Sequence, residues 1–354
     1  MQKLRTAIVC CCILFVCGCV PKKKDDFNRT ALLTNLYNSN IAPGYISFFT
    51  STEALKASAD AFLLNPDNTK LDSLKTAFLL AYKNFQAVEM YDFTASGDMR
   101  NALNSFPTDT TQINSNIISG VYDLNTANNI RAKGFPAVDF ILFGKSSADV
   151  VATFTSSPQS KQYLNDIVQE IRNKAGAAVA GWNSFETDFV NASGTDVGSS
   201  VGMLVNDLSF AAERNRRERV GNPLGYIGII SGGVVLPDAV EAYHCNYSKE
   251  LLIENLQKLK SLYEGGAGTG FDDYLNHIGA DYNGTPLATE ISNQFNRTIL
   301  AAQNIPVALS VAVTSNNAEM QTLFLELKKL VVLLKVDMSS QLGVIINYSD
   351  NDGD

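Results

Sequence analysis

Apolar residues recur along most of this chain with the spacing of a helix. In LKTAFLLAYKNFQAVEMYDF they fall at Leu74, Ala77, Phe78, Ala81, Phe85 and Val88. That period, near 3.6 residues, predicts an amphipathic helix with one buried face. Glu89 borders the stripe, beside Tyr82 and Phe85. SKQYLNDIVQEIRNKAGAAVAGWNSF repeats the pattern at Tyr163, Ile167 and Ile171 and continues to Trp182. Val201 to Arg219 predicts a further helix, and KELLIENLQKLKSLYE another, through Leu252, Leu256, Leu259 and Tyr263. In AEMQTLFLELKKLVVLLKV the stripe runs through Met320, Leu323, Phe324, Leu327, Leu330, Val331 and Leu334. Leu325, Val332 and Leu333 widen it, which predicts a last helix buried on most sides. Strand-like alternation is rare, and VVLP near Val234 is its best candidate.

Breaks in this pattern divide the chain. Ser96 to Pro107 is polar and turn-rich, Gly221 to Pro237 is rich in Gly and Pro, and Gly265 to Gly270 reads as a flexible loop after a helix. Gly144 to Pro158 has little pattern and is taken as a domain boundary. Long amphipathic helices joined by loops imply an all-α protein of two helical bundles, residues 27–150 and 151–347. The acidic tail, 348–354, contains Asp350-Asn351-Asp352-Gly353-Asp354. It has half the spacing of a calcium loop without the bidentate acid, and reads as a solvated tail.

The first residues differ in kind. Lys3 and Arg5 precede an uncharged apolar stretch from Ala7 to Val16, the charge order and length of a secretory signal. Val16-Cys17-Gly18-Cys19 then resembles the lipobox of bacterial lipoproteins. This implies a signal peptide over 1–18, acylation of Cys19 and anchoring in a lipid bilayer. The tether at 19–26 carries Lys22-Lys23-Lys24-Asp25-Asp26, similar to signals that send lipoproteins to the outer cell surface. The expected address is the outer membrane, with the folded domain outside the cytoplasm. Removing the signal and acylating Cys19 would leave Cys245 as the sole thiol. That excludes an internal disulfide and a thiolate zinc site.

Composition narrows the function. About 335 residues would remain after the signal, enough for two domains or one large one. A net charge of -8 and a pI near 4.9 argue against nucleic acid. Only His244 and His277 are available as imidazoles. His244 adjoins Cys245, and neighbours in sequence do not share a helix face, so a Cys–His dyad there is geometrically poor. Arg214, Arg216, Arg217 and Arg219 cluster with Glu213 and Glu218. That cluster suits either an ion-pair network at a domain junction or an anion site, since arginine offers a two-pronged fork.

The most informative stretch is Gly134-Phe135-Pro136-Ala137-Val138-Asp139-Phe140-Ile141-Leu142-Phe143-Gly144. Pro136 suits the start of a helix. Asp139, inside an apolar run, needs a partner or a polar cavity, or else compensates the helix N-terminus. The segment resembles the imelysin-like proteins, whose signature is Gly-x-His-x-x-Glu followed by an apolar run ending Leu-Phe-Gly. Asn40 to Tyr45, Ala77 to Phe93 with Glu89 at the acidic position, Arg214 to Gly221, Leu236 to Tyr243 with Glu241, and Gly270 to Leu275 resemble further family segments in the same order. The resemblance implies two helical bundles with a site at their junction. It draws together Asp139, Glu89, Arg214, Arg217 and Glu241 as candidate ligand residues, with Gly134, Pro136 and Asp139 as the remnant of the signature. Family members are linked to iron uptake or described as metallopeptidases. Here Pro136 stands where His is expected, and Asp139 where Glu is expected. Three roles follow: a non-enzymatic binding lipoprotein for a metal ion, an iron species or a small anionic ligand; a metallopeptidase; or a module that assembles with an outer-membrane protein.

Overall fold

Side chains that accept backbone N–H groups start many of the helices: Asn28, Asp67, Asp109, Ser146, Ser157 and Ser199 each cap a first turn. Each such cap contributes about 1 kcal/mol. The structure is a computed structural model and describes residues 26–227 and 232–348. The signal stretch, Cys19, nearly all of the tether and residues 349–354 lie outside the described residues. Among the described residues no helix is long and apolar enough to cross a membrane.

The first half contains α1 (Arg29–Leu36), α2 (Ala42–Leu64), α3 (Asn68–Phe85), α4 (Met99–Leu103), α5 (Thr110–Ser119), α6 (Gly134–Phe143), α7 (Ser147–Ser156) and α8 (Pro158–Asn191). The 34-residue α8 and the 23-residue α2 pack along each other, with α3 also on α2 and α6 on α8. Phe48, Phe78, Phe85 and Phe135 fill this core in tilted pairs. Trp182 sits among Tyr37, Tyr45, Phe93 and Phe189. Its indole N–H donates to Ser96 Oγ at 3.2 Å, which meets its one polar requirement.

The second half contains α9 (Ser200–Arg214), α10 (Ser248–Glu264), α11 (Phe271–Ile278), α12 (Leu287–Gln303), α13 (Leu309–Ser315), α14 (Asn317–Val332) and the short α15 (Ser339–Leu342). α12 packs on both α10 and α14, and α9 packs on α10 and α14. A wide π-helical turn, Asn215–Gly221, continues α9 without a break. The halves meet where α3 touches α10 and α1 touches α9. Asn35 Nδ2 donates to Gly265 O (2.8 Å) and Thr269 O (2.9 Å), fixing the glycine loop against α1.

The periodic segments form helices as expected, and several other expectations change. Val234 is in a loop, and the described strands are a two-residue hairpin, Asp281–Tyr282 with Thr285–Pro286. Gly144 to Pro158 holds α7, and α8, beyond the expected boundary, packs on α2 and α6 of the first half. Ser96 to Pro107 holds α4. In α14, Leu325 and Val332 are exposed at 47% and 44%, so this helix buries one side only.

Candidate functional site

Gly134 begins the construction of the junction. Its φ of 67° is one that L side chains rarely adopt, and a Cβ there would lie 2.3 Å from Leu103 O. α6 can therefore press against the end of α4, and the residue after Leu103 is Asn104. Pro136 lies in the first turn of α6, where its missing N–H breaks no helical bond. Phe135 stacks on Tyr82, with ring centroids 4.5 Å apart and planes 7° from parallel. Tyr82 Oη donates to Asn104 Oδ1 at 2.6 Å, which turns both amide hydrogens of Asn104 towards the junction. They reach Glu241 Oε1 at 2.7 Å and Glu89 Oε2 at 3.2 Å.

Between these two carboxylates lies the guanidinium of Arg219, carried by the π-helical turn after α9. Its Nε donates to Glu241 Oε2 at 2.6 Å and its Nη1 to Asn215 Oδ1 at 2.5 Å. Its Nη2 donates to Glu89 Oε1, to Gln86 Oε1 at 2.9 Å and to Glu241 Oε1 at 3.1 Å. Asn255 Nδ2 from α10 adds a bond to Glu89 Oε1 at 2.8 Å, and Asn215 Nδ2 bonds Asn255 Oδ1 at 2.8 Å. Arg219, Glu89 and Glu241 are 3%, 2% and 1% exposed, so every charge here has left water. Such burial is tolerated only with near-complete pairing. Arg214 supplies the second positive charge, its Nη1 3.7 Å from Glu89 Oε2 and its Nε bonded to Glu218 at 2.9 Å. Burial by itself would raise the Glu89 carboxyl. The charges of Arg219 and Arg214, with bonds from Arg219 and Asn104, hold it below the usual carboxylate range. Arg219 is held charged by Glu241 and Glu89 against the opposing effect of burial.

Asp139 is buried beside this network and serves another purpose. Its two oxygens accept the backbone N–H groups of His244 (2.9 Å) and Cys245 (2.8 Å). It clasps the turn that follows Glu241, where Ala242 and Asn246 have positive φ. It therefore does not compensate the N-terminus of its own helix. Burial raises its carboxyl above the usual range, partly offset by bonds from the same turn. The thiol of Cys245 is pushed up, chiefly by burial, and His244 is pushed down by burial. Neither shift activates a nucleophile.

Of the expected ligand residues, Glu89, Glu241 and Arg214 do come together. Asp139 is adjacent but spent on backbone. Arg217 touches neither Glu89 nor Glu241; its Nε lies 3.9 Å from Glu213. The centre is Arg219. Gln86, Asn104, Asn215 and Asn255 complete it, and none of these was singled out from the sequence. Asn255 had a signal, being a polar residue one position before Leu256 on the apolar face of α10.

The signature position implies a metal, and the donor set does not fit one. Both carboxylates of the junction are saturated by Arg219 and three amides, Asp139 holds two N–H groups, and Pro136 offers no donor. Among the described residues no group of three His, Cys, Asp or Glu is placed to hold an ion.

Against the network lies a cavity of about 510 Å³. Asn104 and Arg214 belong to both, so the network forms one wall. Arg100, Arg131 and Asn222 line the rest, with Glu218 and Asp238 as the acids. A cavity of about 450 Å³ between α12 and α14, lined by Arg297, Lys328 and Lys329, shares no residue with the network.

The fold has solved counterparts. A protein from Parabacteroides distasonis described as an iron-regulated protein A precursor superposes with a TM-score of 0.73, at 15% identity, covering 92% of this chain and 97% of that one. An imelysin-like protein from Psychrobacter arcticum 273-4 gives 0.68 at 16% identity, covering 91% and 97%. No curated protein matches. The model of the imelysin family (peptidase M75) matches residues 41–335, and the chain belongs to that family.

Proposed function

We propose that this protein is a non-enzymatic binding component, a member of the imelysin family in which an arginine-centred lock occupies the junction. The observation that carries this reading is the guanidinium of Arg219 between Glu89 and Glu241. A metal there would have to expel a fully paired cation and then bind carboxylates already committed to amides. Among the described residues no side chain beside it offers a free general base to a metal-bound water, which a metallopeptidase requires. The ligand enters at the adjoining cavity, whose wall is the lock itself. The name of the Parabacteroides distasonis protein, iron-regulated, supports a setting in iron supply. The N-terminal residues support export and anchoring through Cys19, with the domain on the outer membrane. Loss of lipid labelling in Cys19→Ala would check the anchor.

Purified protein should contain no stoichiometric metal. It should give no saturable heat with ferric, ferrous, zinc or calcium ions, and no chelator-sensitive cleavage of casein. Pro136→His, which restores the signature imidazole, should not create metal binding, because Glu89 and Glu241 remain engaged. Chelator-sensitive cleavage that disappears in Asp139→Ala would refute the proposal.

A further inference from the structure

The cavity beside the lock is cationic in a protein of net charge -8. Three guanidinium groups line it, and each is incompletely paired. Arg131 is exposed and forms no ion pair among the described residues. Arg100 has its Cζ 5.0 Å from the centroid of the Phe210 ring, and its Nη2 is 3.6 Å from Asp92, a carboxylate open to solvent. Arg214, only 8% exposed, uses Nε on Glu218 and Nη1 on Glu89; its Nη2 donates to no described residue. A second observation is independent of charge. Asn222 lines the cavity, its side-chain amide makes no hydrogen bond to any described residue, and the Oδ1 end of that amide is buried. Leaving a buried polar atom unpaired costs about 1–3 kcal/mol, and an amide unpaired beside a cavity offers its accessible end to a polar ligand atom.

We infer that this cavity binds a small organic anion bearing more than one carboxylate and a hydroxyl group. Arginine forks pair with carboxylates through two parallel N–H···O bonds, and the Phe210 ring restricts the movement of one of them, Arg100. The hydroxyl is the group that pairs with the accessible end of the Asn222 amide, accepting from Nδ2 as it is placed or donating to Oδ1 if the amide is turned over. A cavity of about 510 Å³ is within the range for small ligands and too small for a folded partner. Glu218 and Asp238 oppose a compact inorganic anion that would sit near them. A carboxylate ligand can place its charges on the arginines and its hydroxyl towards the acids. The inference rests on the reading of the chain as a binding protein.

Citrate, tricarballylate (the same three carboxylates without the hydroxyl) and sulfate separate the possibilities by calorimetric titration of the purified chain. Citrate should bind saturably at millimolar concentration or below, and more weakly as salt is raised. Tricarballylate should bind about tenfold more weakly, and sulfate more weakly still. Arg131→Gln, at an exposed side chain that leaves the fold intact, should lower citrate affinity about tenfold. Asn222→Leu should abolish the preference for citrate over tricarballylate. Absence of saturable citrate binding overturns the inference. So does citrate affinity unchanged in both Arg100→Gln and Arg131→Gln, or sulfate bound as tightly as citrate. A protein inert as a peptidase that also ignores citrate loses only this inference. A chelator-sensitive peptidase loses the functional reading itself.

Discussion

Replacing Arg219 with methionine would leave Glu89 and Glu241 facing each other out of water with their common counter-charge gone. Removing one partner of a buried ion pair costs about 3–5 kcal/mol. Chemical denaturation of Arg219→Met should show a loss of that order, whereas Arg217→Met, outside the lock, should lose far less. Gly134→Ala tests the close approach of α6 to α4: a methyl 2.3 Å from Leu103 O at positive φ should cost roughly 2 kcal/mol or more. Asp207 gives the clearest pH dependence. Burial pushes its carboxyl up to about 8, with Asp92 adding to the rise and a bond from the Asp92 N–H opposing it. Between about pH 4 and 8 the folded chain keeps a proton that the unfolded chain has released, so this group's contribution to stability falls as pH rises through that window. Asp207→Asn should match the parent in unfolding free energy at about pH 3.5, where both chains are neutral at this position, and exceed it by a margin that grows up to about pH 8, reaching a few kcal/mol (about 1.4 kcal/mol per pH unit at most). At this scale the sequence was half legible. Glu89 stood out as an acid bordering an apolar stripe, and Arg214 as one of four arginines clustered with Glu213 and Glu218. Gln86, Asn104 and Asn215 did not, since an uncharged amide sits as readily in a solvated loop as in a buried network.

Among the elements, the turn 242–247 depends on Asp139 more than on its own sequence. Asp139→Asn replaces one acceptor oxygen by a donor, so the amide of His244 or of Cys245 loses its partner. The expected effect is about 1–2 kcal/mol of stability and faster hydrogen exchange at those two amides. The π-helical turn Asn215–Gly221 is a second such device. It places Asn215 and Arg219 four residues apart on the buried side, in a region where exposed Lys and Glu would be ordinary. Helices were legible wherever the apolar period ran for three turns or more, as in α3, α8, α10 and α14. α7 was missed because its ten residues bury only Val150 and Phe154, too few to show a period. Val234 misled because an apolar run of four carries no information on strand pairing. The width of the stripe in α14 overstated burial, since Leu325 and Val332 have no element packed over them.

In the whole molecule, the lock draws Gln86, Glu89 and Asn104 from one half and Asn215, Arg219, Glu241 and Asn255 from the other. The partners of Arg219 in the first half are 130 and 133 positions away in sequence. The chain can gain this stabilisation only after most of it has folded, since long-range contacts follow the closure of the loops between them. The first half alone would hold Glu89 without either arginine, whereas the second keeps Arg219 paired with Glu241. A fragment ending at residue 191 should therefore be poorly folded, and the intact chain should melt in one calorimetric transition. The junction thus acts as a completeness check: a chain truncated before Arg219 is left with an uncompensated Glu89 at its centre, and is marked for proteolysis by the same charges that hold the finished protein shut.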